Sequence, residues 1–80
     1  MGKIFVIVKR PGCMPETEYI ENTLEEFQRL VGGDIEVLYL ATDLAIICNE
    51  EGRLMELEYN CAICGVSFVG PIVLVRTKRD

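Results

Sequence analysis

The run of side chains most suggestive of chemistry is Cys61-Ala62-Ile63-Cys64-Gly65. A CxxCG spacing is the shape of a metal knuckle, in which the glycine lets backbone amides turn toward the thiolate sulfurs. One knuckle supplies two ligands, whereas zinc takes four, or three and a water. The remaining donors are Cys48 and Cys13, because the chain has no histidine, and their spacing matches no zinc module. Cys61, Cys64 and Cys48 are therefore metal candidates that rank below a plainer reading of two half-buried residues flanking a turn. A redox role would put the pair at the start of a helix, where the dipole lowers a thiol pKa. The residues that follow, Val66-Ser67-Phe68-Val69, read instead as a strand. Cys13, between Gly12 and Met14 in a loop, is the more reactive thiol by exposure.

Paired carboxylates occur at Glu25-Glu26 and Glu50-Glu51. Adjacent glutamates on a helix diverge, so the first pair is a solvated face. The second could hold a hard cation or act as acid and base, but with no third ligand nearby a polar turn is preferred. Gly32-Gly33 ends a helix rather than opening one, which presents carbonyls and counts against a phosphate loop. Without histidine there is no Ser-His-Asp set and no Cys-His pair. No catalytic residues and no cofactor are expected, and the chain is read as a non-enzyme.

The elements that would position these groups follow from pattern. Lys3 to Val8 is an uninterrupted apolar run, read as a central strand buried on both faces. Pro11, Gly12 and Pro15 then take the backbone out of the sheet. Thr17, Tyr19 and Ile20 alternate with Glu16, Glu18 and Glu21 as an edge strand guarded by charge. Thr23 and Glu26 predict a capping box, and the helix should face Leu24, Phe27, Leu30 and Val31 inward, with Glu25 and Arg29 paired outside. At roughly ten residues it must dock on a sheet to be stable. Asp34 to Leu40 and Leu44 to Cys48 predict a hairpin joined at Ala41-Thr42-Asp43. Asn49 to Gly52 reads as a turn, and Arg53 to Asn60 as a loop with a helical turn. Val66 to Val69 and Pro71 to Val75 read as a strand interrupted at Gly70-Pro71 that closes the sheet, with Arg76 to Asp80 fraying.

Length and charge set the outer bounds. Eighty residues, half of them hydrophobic, suit a single folded domain over residues 1–80. Thirteen acidic residues against eight basic give a net charge of −5, so direct nucleic-acid binding is not expected. The basic clusters, Lys9-Arg10 and Arg76 to Arg79, fall at strand ends and read as solvated. No apolar run reaches a membrane span, and the first residues lack a cleavage site, so a cytoplasmic protein with reduced cysteines is expected.

The combination of Pro11-Gly12 after an apolar strand, Leu30-Val31-Gly32-Gly33 followed by Ile35-Glu36, Ile47 to Arg53, and Tyr59 to Gly65 before an apolar closing strand resembles the DUF3846 family. The similarity covers nearly the whole chain. It implies a small domain of bacteria of the gut, their phages and other mobile elements, with an accessory role in conflict between phage and host. It carries over no catalytic residues. Longer family members have a Leu-Pro turn and extra residues where Leu57-Glu58-Tyr59 here runs almost straight into CxxCG, so a site built on that insertion would be absent or altered.

Together these readings predict an α+β fold: a small mixed or antiparallel sheet of about five strands with one main helix on one face. The expected function is non-enzymatic binding and inhibition of a host defence factor in the bacterial cytoplasm. The partner- or ligand-binding candidates are Lys9, Arg10, Asn49, Glu50, Glu51, Tyr59, Asn60 and Arg76. An alternative is a homo-oligomer that sequesters a nucleotide signal, with Lys9, Arg10 and Arg76 neutralising phosphates and Asn49 or Asn60 reading a base. A further alternative is a small cysteine-based metal module.

Overall fold

The computed structural model describes residues 2–77. Its main sheet has five strands in the order β2-β1-β7-β4-β3, all antiparallel. The strands are β1 (Lys3–Lys9), β2 (Glu16–Glu21), β3 (Ile35–Ala41), β4 (Leu44–Asn49) and β7 (Ile72–Arg76). A helix, α1 (Leu24–Val31), lies on one face. On the other sits a separate hairpin of β5 (Tyr59–Ile63) and β6 (Val66–Val69). The α+β expectation holds for the main sheet, and the hairpin adds a third layer.

Local signals explain α1. Thr23 has extended backbone and its hydroxyl accepts the Glu26 amide at 3.2 Å, while Gly32, at φ 83°, ends the helix in the left-handed region. The amides of Gly32 and Gly33 both donate to the Gln28 carbonyl. Only half of the capping box forms, because the Glu26 carboxylate turns away to pair with Arg29. That pair replaces the expected Glu25–Arg29 contact and raises the Arg29 pKa further. Phe27, Leu30 and Val31 are buried against Val6, Val8, Ile20, Ile47 and Val73, each such burial contributing about 1.5 to 3 kcal/mol. Leu24 is 54% exposed, contrary to the predicted inward face: the helix buries Phe27, Leu30 and Val31 and leaves its first residue outside the core cluster.

The strand parity divides the remaining apolar residues. Val6 and Val8 point to the helix, so Phe5 and Ile7 point to the opposite face, where β1 pairs with Tyr19 and Thr17 of β2. The two-faced burial predicted for Lys3 to Val8 is therefore corrected: β1 lies next to the edge, and the central strand is β7. Val66 to Val75 is not one interrupted strand either. Gly70 takes φ 71° and hands the chain from the hairpin to the main sheet, so β6 and β7 belong to different sheets. An added Cβ at Gly70 would lie 2.6 Å from Leu57 Cδ1, so this crossing has no room for a side chain. Between β4 and β5 the chain makes turns, one of them closed helically from the Met55 amide to the Glu51 carbonyl, as predicted. The end of the predicted fraying segment, residues 78–80, lies outside the described residues.

A two-stranded hairpin is marginal alone. This one is held by Phe68, which is buried with Ile46, Cys48 and Ile72, and by partly buried Cys61, Ile63 and Val66. It covers the end of the sheet where Lys9, Ile72 and Cys48 lie. The end with Phe5, Leu44 and Arg76 remains open.

Candidate interaction surface

Three polar groups singled out from sequence turn out to sit at strand ends rather than in loops, with their hydrogen-bonding capacity directed inward. Asn60, on β5, donates to the carbonyls of Lys9 and Gly70, each at 2.7 Å, and accepts from Lys9 Nζ at 2.9 Å. Lys9 also donates to the Arg10 carbonyl. This cluster ties the hairpin to β1 and leaves little of Lys9 or Asn60 for a ligand. Asn49, at the end of β4, is buried; its amide donates to the Val31 carbonyl at 3.2 Å and its oxygen accepts the Glu51 amide at 2.8 Å. It fastens the end of α1 to the turn after β4, with both its amide nitrogen and its oxygen engaged within the fold.

Arg10 folds back on the β2 edge, 3.3 Å from Glu18 and 3.6 Å from Glu16. Glu50 and Glu51 are exposed at the rim of a hollow of about 140 Å³ shared with Glu36, Cys48 and Arg53. Ligand pockets usually start near ~300 Å³, so a nucleotide there would need walls from a second copy. Tyr59 is exposed on the far side of the hairpin core, and Arg76 is exposed at the open end of the sheet.

The predicted knuckle is a hairpin turn. Cys64 and Gly65 take φ 51° and 79°, the paired positive values of the tight turns that match strand twist. Cys61 faces the hairpin core while Cys64 is exposed, and no group of three metal-capable side chains comes together among the described residues. Burial, and then the charge of Glu36, push the Cys48 thiol pKa up, partly offset by Arg53. That thiol is a poor nucleophile; Cys13 is exposed.

A second depression lies where the sequence pattern predicts only buried side chains. On the open part of the sheet, Phe5 is 69% exposed, Tyr19 57% and Ile7 41%. With Thr17, Leu44, Leu74 and Arg76, Phe5 and Ile7 line a depression of about 290 Å³. The Phe5 and Tyr19 rings pack with centroids 4.5 Å apart, and Lys3 Nζ lies 5.7 Å from the Tyr19 centroid. Such a contiguous apolar patch marks a contact surface more often than a solvated one. The signal available in sequence was the shared parity of Lys3, Phe5, Ile7 and Lys9: polar ends on one face of a run that was read as wholly buried.

A family model described as a domain of unknown function, DUF3846, matches residues 3–80. The chain belongs to the DUF3846 family. No curated protein and no solved structure matches it. In this DUF3846 domain the matched residues include both sheets and the helix, and with them the residues of the open face. No helix among the described residues is long and apolar enough to cross a membrane.

Proposed function

We propose that this DUF3846 domain is a non-enzymatic accessory protein of a phage or mobile element that acts in the bacterial cytoplasm by binding and blocking a host defence factor. The reading rests on one observation above all: the sheet face around Phe5, Ile7 and Tyr19 is apolar and exposed beside a wide depression. Two of the polar candidates for ligand reading, Asn49 and Asn60, are bonded within the fold. Burying aromatic and aliphatic side chains of this kind is what anchors protein interfaces.

The test is phage challenge of the bacterial host producing wild-type protein or Ile7→Glu, with thermal unfolding to show that the variant folds. Ile7 is partly exposed and outside both buried clusters, so the substitution should spare the fold. Wild type should raise phage yield and the variant should not. An equal rise in phage yield with a folded Ile7→Glu protein, or no effect of wild type, would overturn the proposal.

A further inference from the structure

We infer that the open sheet face takes an acidic amphipathic segment of a partner protein, its apolar side on Phe5, Ile7, Leu44 and Leu74 and its carboxylates beside Lys3 and Arg76. This rests on the protein-binding reading above and adds the chemistry of the partner.

The argument is one of charge. The chain as a whole is acidic, at −5, yet the residues lining the depression include Arg76 and no carboxylate. Lys3 stands on the same side of β1 as Phe5 and Ile7, over the Tyr19 ring. Arg76 stands on the same side of β7 as Leu74. Both cations are at the end away from the hairpin, where no other element among the described residues covers the sheet. The nearest carboxylates by register are Glu21, opposite Lys3, and Asp43, in the turn before Leu44. Neither forms an ion pair with Lys3 or Arg76 among the described residues. The face therefore offers an apolar floor walled at one end by the hairpin, with Arg76 in its lining and Lys3, beside Glu21, at the other end. A segment with apolar residues on one side and Asp or Glu at one end satisfies both parts.

Other occupants fit less well. A second copy joined through the same face would bring Glu21 and Asp43 together with two more cations, and so offers Lys3 and Arg76 no excess of carboxylate. An anionic bilayer would attract the two cations but repel the remaining surface of an acidic protein.

The probe is a random-peptide display library panned on the full chain, with selected peptides then synthesised for titration. Enrichment of peptides that join Leu, Ile or Phe to Asp or Glu is expected. Binding should be lost in Ile7→Glu and weakened about tenfold in Arg76→Glu, equivalent to about 1.4 kcal/mol. Added salt should weaken binding to wild type more than to Arg76→Gln. Enrichment of basic or uncharged peptides that still need Ile7 would overturn the acidic partner and leave the protein-binding face standing. Peptides indifferent to Ile7→Glu would overturn both. Light scattering that shows a dimer dissociated by Ile7→Glu, or sedimentation with phosphatidylglycerol vesicles that needs Ile7, would also overturn the inference in favour of a second copy or a membrane.

Discussion

At the scale of single residues, Asn49 decides more than its position in a polar turn suggests. Its side chain bonds one group on α1 and one in the turn after β4, and the bond to α1 is buried. Asn49→Ala should cost about 2 kcal/mol, because the Val31 carbonyl is left buried without its partner. Asn49→Asp should destabilise too, since a carboxylate oxygen would replace the donor facing that carbonyl. Urea unfolding checks both, and stabilities equal to wild type would return Asn49 to the surface role read from sequence. The sequence marked Asn49 as notable but gave no hint of its direction, because Val31 is distant in the chain. Gly33 reports the same packing: a Cβ there would come within 2.9 Å of Asn49 Nδ2. Cys48 supplies a pH signature. Its folded pKa is raised above the ordinary 9.0, so below that value both states keep the proton and the contribution to stability is complete. As pH rises past 9.0 the unfolded thiol ionises first and stability is lost. Denaturation between neutral and alkaline pH should fall more steeply for wild type than for Cys48→Ala; parallel curves would contradict this.

At the scale of elements, agreement was best where signals are local. Thr23, Gly32 and the apolar spacing of Phe27, Leu30 and Val31 located α1, and the glutamates of β2 marked an edge. The Cys61 to Gly65 segment admits two readings because a two-residue hairpin turn and a metal knuckle share the same need for a glycine with positive φ, and the preferred one, a turn, is what forms. Geometry separates them through stability. Cys64→Asn should leave stability unchanged or raise it by a few tenths of a kcal/mol, since Asn-Gly suits this turn. Gly65→Ala should cost about 1 kcal/mol. Thermal unfolding reads both, and a large loss from Cys64→Asn would point to a thiol with a job beyond the turn. The β7 position was hidden for a different reason: periodicity shows that a strand is buried but not which strand lies in the middle.

For the whole molecule, the consequential fact is incomplete coverage. On one face α1 packs against β1, β2, β4 and β7 and leaves Val37 and Tyr39 of β3 exposed, while the other has only a short hairpin, fastened through Asn60 to β1 and to the crossing at Gly70. Asn60→Ala should therefore speed amide exchange in β5 and β6 before it affects β1 or β4, and uniform acceleration across both sheets would contradict that hierarchy. The open face could not be read from Lys3 to Val8, because an apolar strand awaiting a partner and one already covered have the same composition. Only the area of the covering layer distinguishes them. The central claim, that this face is where the protein meets its target, is tested most directly by photo-crosslinking in the bacterial host. A photoreactive phenylalanine analogue is placed at Ile7 in one chain and at Glu25, on the outer side of α1, in another. A single discrete host polypeptide cross-linked from Ile7 and not from Glu25 is the predicted result. The same polypeptide captured from Glu25 and not from Ile7 would contradict it.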